Sequence, residues 1–203
     1  HAQNFGWMGW TKNGESAGTE GYGYRVEAIQ IKIVKKGAQA PGTTEQCFSK
    51  KWTSIVYSAH VQDIGWQNNV KDGALAGTTG ESKRVEAIKI SLSGQKAEGS
   101  VEYSAHVQDI GWQKSVKDGA LAGTTGKGKR VEAIKINLTG TLSESCDVYY
   151  RVHAQDHGWL GWTKNGNPAG TEGLSKRIEA IEIKVVTKGD TAPEMGKEAF
   201  VKK

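Results

Sequence analysis

The fold is decided by a stretch that reads AHVQDIGW at residues 59–66, VKDG at 70–73 and RVEAIKI at 84–90, because the chain contains this stretch four times. The tryptophan and the arginine are separated by the same number of residues in every copy. A motif that recurs without gaps predicts one supersecondary unit that is stacked or arranged by symmetry. The histidines that open the four copies are His1, His60, His106 and His153.

The composition is that of a globular protein, with 203 residues of which 36% are hydrophobic and 24% charged. No apolar stretch approaches the roughly 20 residues that a membrane helix needs, so membrane insertion is not expected. The net charge is +5, and we interpret the lysines as solvated strand faces rather than a nucleic-acid surface, although an acidic wall polymer would suit the same charge. Cys47 and Cys146 lack metal spacing, and either one disulfide or two free thiols fits them.

Each repeat is expected to form four strands, which in the second repeat are residues 56–62, 66–71, 74–79 and 84–92. Asp-Gly or Asn-Gly predicts a type I′ hairpin turn between the second and third strands. These pairs lie at residues 13–14, 72–73, 118–119 and 165–166. No helical period is present.

The last strand of the repeat alternates, so that Ile88 and Ile90 are predicted to point inward and Lys89 outward. If the strand is regular, Glu86 is also buried and needs a partner such as Arg84 or a histidine imidazole. A bulge at Ala87 would instead turn Glu86 outward. A structural role is predicted for the following arginines and glutamates: Arg84, Glu86, Arg130, Glu132, Arg177 and Glu179.

The repeats are of two kinds, because the first and fourth carry a second Gly-Trp pair, at residues 9–10 and 161–162, that the other two lack. A Gly/Pro/Thr stretch of linker character follows each of these two repeats. The order predicts a three-repeat body, preceded by the last repeat of another body and followed by the first strand of the next. The predicted segments are a first repeat at 1–37, a linker at 38–47, repeats at 48–94, 95–140 and 141–188, and a linker with a strand at 189–203.

The predicted fold class is all-β, with tandem four-stranded repeats closed by a pseudo-threefold axis. A β-prism, with one sheet per repeat, is preferred because the strands of a repeat connect as successive hairpins, and a β-trefoil is the alternative. Either design buries the apolar face of each repeat against the other two, which a single repeat cannot do.

The recurring line His-x-Gln-x-x-Gly-Trp, then Lys-(Asp/Asn)-Gly-x-x-Ala-Gly-Thr-(Thr/Glu)-Gly and Arg-(Val/Ile)-Glu-Ala-Ile closely resembles the ChW family, clostridial hydrophobic repeats with a conserved tryptophan. The resemblance covers all four copies. It implies a secreted or surface protein of a Gram-positive bacterium, with repeats often in sets of three. It also implies cell-surface attachment, adhesion and binding of polysaccharide or protein, without a defined ligand.

The tryptophans divide into two groups. Trp7, Trp66, Trp112 and Trp159 occur in every repeat, and we interpret them as a core or inter-repeat aromatic cluster rather than a ligand platform. Trp10 and Trp162 occur only in the first and fourth repeats, beside Asn13 and Asn165. A stacking platform for a sugar or a protein partner and simple packing are equally open for these two indoles.

A polar His-x-Gln pair recurs on the face opposite the apolar residues of the first strand. A hydrogen-bonded ladder between neighbouring repeats is favoured over polar ligand contact for this pair. The candidate ligand-binding residues from this motif are His60, Gln62, His106, Gln108, His153 and Gln155. No nucleophile–base pair, carboxylate pair or metal set is unique to one repeat, so an enzyme, a cofactor and a metal site are not expected.

The first functional hypothesis is therefore a non-catalytic extracellular module at the cell surface or cell wall, which binds carbohydrate or a protein partner through repeated shallow sites. The second is a structural building block that assembles end to end into a stalk or filament through self-association between chains, because a repeat without two partners cannot bury its apolar face.

Overall fold

A computed structural model of the chain describes residues 1–20, 22, 24–50, 53–94 and 98–203. The chain divides into two compact units, residues 1–52 and 53–203, which are described separately below. The predicted boundary between the second and third repeats, at residues 94 and 95, borders residues 95–97, which lie outside the described residues.

The smaller unit contains the first repeat and two short strands, β1 (Gly18–Glu20) and β2 (Phe48–Lys50), which pair in parallel. Because Phe48 pairs with Gly18, residues 48–50 belong with the first repeat and not with the second repeat, where the sequence had placed them. The predicted long last strand of this repeat is not formed in residues 27–35. Its isoleucines Ile29, Ile31 and Ile33 are 72%, 89% and 97% exposed.

The larger unit contains the second, third and fourth repeats, each built from two long strands and three short ones. The predicted strand from Trp66 to Lys71 is interrupted and forms two pieces. The second repeat contains β3 (Ser54–Val61), β4 (Gly65–Trp66), β5 (Val70–Lys71), β6 (Ala76–Gly77) and β7 (Val85–Ser93). The third contains β8 (Val101–Val107), β9 (Gly111–Trp112), β10 (Val116–Lys117), β11 (Ala122–Gly123) and β12 (Val131–Leu138). A single helical turn, α1 (Leu142–Ser145), precedes β13 (Cys146–Ala154), β14 (Gly158–Trp159), β15 (Thr163–Lys164), β16 (Ala169–Glu172) and β17 (Ile178–Thr187) of the fourth repeat.

The turn between β5 and β6 shows why the local sequence folds this way. The predicted hairpin is not formed, because β5 pairs with β3 of its own repeat and β6 pairs with β17 of the fourth repeat. Asp72 and Gly73 both have positive φ, at 46° and 89°, as a type I′ turn requires. The Asp72 carboxylate also accepts a hydrogen bond from the Ile55 backbone N–H, at 2.9 Å, which ties the turn to the start of β3. The same bond recurs from Val101 to Asp118 and from Val148 to Asn165.

Each repeat gives one short strand to the repeat that precedes it, and the second repeat closes the ring by giving its strand to the fourth. The strand β6 of the second repeat pairs with β17 of the fourth, β11 of the third pairs with β7 of the second, and β16 of the fourth pairs with β12 of the third. The described strands of the larger unit therefore form three sheets related by a pseudo-threefold axis, without the closed barrel of the trefoil alternative. The prediction of an all-β, prism-like fold of tandem repeats is confirmed.

The core is built from the inward residues of the long strands, and three buried tyrosines join neighbouring repeats by hydrogen bonds. Tyr150, which is fully buried, accepts a hydrogen bond from the Ile136 N–H of the third repeat at 3.0 Å and donates one to the Asn167 carbonyl of its own repeat. Tyr57 does the same toward the Ile183 N–H, and Tyr103 toward the Ile90 N–H. Each hydroxyl thus bonds to the same repeat that receives the short strand of its own repeat.

A last strand, β18 (Phe200–Lys202), pairs in parallel with β16, with Phe200 opposite Gly170. The sequence had suggested that this segment begins a following body. Its pairing instead places it in the sheet of the body that precedes it, in the same relation that β2 has to β1.

Candidate binding surface

The tryptophan of each repeat is at least partly exposed, so within the predicted core or inter-repeat aromatic cluster the placement in the core is wrong. Trp7 and Trp66 are 57% and 38% exposed, and Trp112 and Trp159 are half-buried. The reason is positional: tyrosine, isoleucine and valine from the long strands already fill the interior. In the larger unit the tryptophans lie on short outer strands, which leaves an indole partly open to solvent on each of its three sheets.

The histidine of the motif supports the indole of its own repeat. In the larger unit the imidazole rings of His60, His106 and His153 meet their tryptophans edge to face, with ring centroids 5.4, 5.4 and 5.5 Å apart. In the smaller unit His1 meets Trp7 in the same way at 5.4 Å. The contact is made within one repeat, so these histidines do not form the predicted ladder between neighbouring repeats.

In the larger unit a buried glutamate lies beneath each imidazole of the motif. Glu86 is 6% exposed, and its carboxylate lies 3.1 Å from the His60 Nδ1 atom and 2.8 Å from a nitrogen of Arg84. Glu132 and Glu179 have the same pairs of partners at 2.7–3.2 Å. A buried carboxylate needs such partners. The ion pair with the arginine holds the carboxylate in place against the imidazole ring that contacts the indole.

A bulge brings this glutamate to the imidazole. The pairing of β3 with β7 skips Glu86, because His60 is opposite Ala87 and Val61 is opposite Val85. A bulge was one of the two alternatives for this strand, but it lies at Glu86 itself and leaves the side chain buried against His60. The same shift in register occurs at the equivalent glutamates of the third and fourth repeats.

The glutamines of the motif behave less uniformly. The Gln62 side chain accepts a hydrogen bond from Arg84 at 2.8 Å, which extends the ion-pair network. Gln108 and Gln155 donate backbone N–H bonds to the carbonyls of Arg130 and Arg177. These backbone contacts hold the turn that follows the first long strand.

A cation covers each indole in the larger unit, a contact that sequence reasoning missed. The Lys89 and Lys135 ammonium groups lie 4.6 and 4.2 Å from the ring centroids of Trp66 and Trp112. In the fourth repeat the Arg151 guanidinium lies 4.6 Å from Trp159, although it comes from the neighbouring strand. Such contacts are attractive because the ring face is electron-rich.

The sequence did contain a signal for this exchange of cations. The two outward positions are paired across the sheet, as Ser58 with Lys89 in the second repeat and Arg151 with Glu182 in the fourth. Where the fourth repeat has a glutamate in place of the lysine, the opposite residue is arginine, and the two form an ion pair at 2.7 Å. A positive charge over the indole is therefore retained with different residues.

The second tryptophan of the fourth repeat is half-buried and contacts both charge and backbone. Trp162 lies 4.9 Å from the same Arg151 guanidinium, and its backbone N–H donates to the Met195 carbonyl at 2.8 Å. Trp10 in the first repeat is held in the same way by Thr43. The backbone of each of these residues is thus tied to the segment that follows its repeat, and the Trp10 indole also lies close to Gly42 of that segment, which favours packing over an open platform at Trp10.

The two asparagines predicted beside these indoles occupy turn positions. Asn165 has φ 49°, and its side chain bonds to the Val148 N–H and to Asp147. Burial raises the pKa of the Asp147 carboxyl, but the hydrogen bonds that it accepts from Asn165 and Lys164 outweigh this effect and hold its pKa below the ordinary value. Asn13 has φ 52° in an exposed turn of the smaller unit.

The fold and this surface define a class: an all-β module of cyclically exchanged repeats that carries the same partly exposed indole, with a cation over it, on each sheet. The family model of the ChW repeat, described as Clostridial hydrophobic W, matches residues 1–35, 60–94, 106–140 and 153–187. The chain belongs to this family. Neither a search of curated proteins nor a search of solved structures finds a match. No helix in the described part of the chain has the length and apolar character to cross a membrane.

Proposed function

We propose that the chain is a non-catalytic binding module of the extracellular cell surface, which attaches to a wall polysaccharide or a protein partner through repeated shallow sites. The observation that carries the proposal is the recurrence of one surface constellation, an indole on a His–Glu–Arg support with a cation over it, on three sheets. A catalytic centre does not usually recur with the same residues, whereas weak binding sites gain affinity from repetition.

An acidic polysaccharide is the ligand class that this chemistry fits best. Each site combines an aromatic surface with a cation, and the chain has a net charge of +5. The Trp66 and Trp159 indole N–H groups have no hydrogen-bond partner among the described residues, so each offers a donor to a hydroxyl or carboxylate group. A protein partner with an acidic surface is the other candidate for the same sites.

A glycan array and a pull-down with isolated cell walls, each at low and high salt, test the proposal. Trp66→Ala and Lys89→Ala are each expected to weaken retention several-fold. Lys117→Ala is the matched control, because it removes the same charge from an exposed strand position that contacts no indole of the described residues. Absence of retention on every glycan and on cell walls, or equal effects of both lysine variants, would contradict the proposal.

The second candidate function is end-to-end assembly, and the exposed isoleucines of the smaller unit favour it. The equivalent residues in the fourth repeat, Ile181 and Ile183, are buried in the three-repeat body. Ile29 and Ile31 are therefore in a sequence that forms a strand when partners cover it, and a second copy of the chain could do so. Light scattering on the full chain tests this: association that Ile31→Lys abolishes is expected, and a strictly monomeric species would count against it.

A further inference from the structure

The exchanged short strand of each repeat has a free edge, and the second and third repeats close it with a glutamine. The Gln67 side chain accepts a hydrogen bond from the Gly77 N–H at 2.6 Å and donates one to the Gly77 carbonyl at 3.0 Å. Gln113 makes the same two bonds to Gly123, at 2.7 and 3.1 Å. A carboxamide has a carbonyl oxygen that accepts and an NH2 group that donates hydrogen bonds, so it satisfies this edge as a residue of a neighbouring strand would.

The first and fourth repeats have an apolar residue at this position and receive a strand instead. Leu160 cannot make the two hydrogen bonds, and the Gly170 N–H donates to the Ala199 carbonyl at 2.9 Å. In the first repeat the residue is Met8, and the Gly18 N–H donates to the Cys47 carbonyl at 2.9 Å. The strands β18 and β2 begin at the next residue in each case.

The second Gly-Trp pair completes the site that receives the strand. The Gly161 and Trp162 N–H groups donate to the carbonyls of Glu198 and Met195, at 3.2 and 2.8 Å. A Cβ atom on Gly161 would lie 1.8 Å from the Lys197 carbonyl oxygen. A glycine is therefore required where the segment crosses, and the second and third repeats, which receive no strand, have Asn68 and Lys114 there.

The incoming strand is also held by charge and by apolar packing. The Lys202 ammonium lies 2.7 Å from the Glu172 carboxylate, which also accepts a hydrogen bond from the Trp112 indole at 3.2 Å. Hydrogen bonds from Lys202 and Trp112 hold the pKa of Glu172 below its ordinary value. Val201 packs against the core of the body.

We propose that Leu160, Gly161 and Trp162 form a strand-acceptor site for an extended segment of the type found at residues 195–202, and that residue 160 decides whether a repeat takes a strand or closes its own edge. The ligand is a segment of this chain, and a second copy can supply it in place of the chain's own segment. The arrangement occurs in both units with a similar donor, Phe-Ser-Lys at 48–50 and Phe-Val-Lys at 200–202.

Hydrogen exchange on the full chain tests the role of residue 160. Leu160→Gln is expected to release residues 195–202 and lower their protection at least tenfold, because the new carboxamide occupies the edge of Gly170. Leu160→Met is the matched control, since the first repeat has Met8 at this position, and it should keep the protection. Gly161→Ala should release the segment by a different route, through steric conflict with the Lys197 carbonyl. Equal protection in Leu160→Gln and Leu160→Met would overturn the proposal.

A complementation experiment tests whether the acceptor takes a strand from another molecule. Val201→Asp in the full chain is expected to free the acceptor while leaving it intact. A peptide of residues 193–203, counted by native mass spectrometry, should then bind one copy more per chain than to the double variant Leu160→Gln/Val201→Asp. The first repeat is unchanged in both chains and cancels from the comparison. Equal uptake by the two chains would overturn the proposal, and protection of the core in β13 shows that both remain folded.

Discussion

The tyrosine hydroxyls that join neighbouring repeats provide a direct test of cyclic closure. Tyr150→Phe removes one oxygen and keeps the buried ring, so that little cavity is created. The change leaves the Ile136 N–H and the Asn167 carbonyl without their partner. A buried hydrogen bond contributes about 0.5–1.5 kcal/mol, and a buried group left unpaired costs about 1–3 kcal/mol. We therefore expect the free energy of unfolding of the body to fall by about 2–4 kcal/mol.

The neighbouring residue provides the control. Tyr149 is also buried, but its hydroxyl has only a 3.5 Å contact with the Lys164 ammonium. Tyr149→Phe should therefore change the free energy of unfolding by less than about 1 kcal/mol. Both variants delete the same oxygen from adjacent positions of β13, so a difference between them isolates the two hydrogen bonds of the Tyr150 hydroxyl, one to the third repeat and one to its own.

The measurement is hydrogen exchange combined with urea unfolding of the full chain. Exchange at the Ile136 amide reports the broken bond directly, and exchange in β12 and β17 reports the stability of the whole ring. For a body of this size the expected loss corresponds to a decrease in Tm of roughly 5–15 °C. Equal effects of Tyr150→Phe and Tyr149→Phe, or loss of protection in the fourth repeat alone, would refute the role assigned to the hydroxyl.

Three further predictions concern the same body. Gly77→Ala should unfold or strongly destabilise it, because the added Cβ would lie 2.3 Å from a backbone carbonyl oxygen. A Cβ on Gly80 would have no atom within 4 Å, so Gly80→Ala should lower the free energy of unfolding by only about 1 kcal/mol, and thermal melts compare the two variants. Glu132→Gln removes a buried charge from its ion pairs and should cost about 2–3 kcal/mol by urea titration, with no change if the pairs contribute nothing. Burial raises the pKa of Tyr57 to about 12, so the unfolded chain releases this proton first, and stability should be complete below pH 10 and fall as the pH rises toward 12; a flat profile over that range would contradict this.

The sequence predicts the repeat and its turns well because these depend on local geometry. The Asp72-Gly73 turn needs two residues with positive φ, and few residue pairs other than Asp-Gly and Asn-Gly meet that need. The alternation of Ile88, Lys89 and Ile90 likewise gives the buried and exposed faces correctly. Threefold closure was predictable because a single repeat cannot bury its own apolar face. Which short strand pairs with which repeat was not.

The surface was harder to predict because it depends on which strand a residue occupies after folding. Trp66 has the hydrophobicity of a core residue, but it stands on a two-residue outer strand. The cation over Trp159 comes from Arg151 on the neighbouring strand, at a place where the other repeats have serine. The parallel pairing of β16 with β18 joins segments separated by a linker, and no local pattern specifies such a partner.

Cyclic exchange of the short strands also restricts how an array of these repeats can grow or shrink. Deleting one repeat would remove the short strand that it gives to one neighbour. It would also leave the short strand of the other neighbour without a sheet to join, so two repeats would be disrupted at once. A fourth member has no vacant position in the ring. Gains and losses of repeats that preserve folding should therefore occur in sets of three, each ending with a repeat that carries the second Gly-Trp pair.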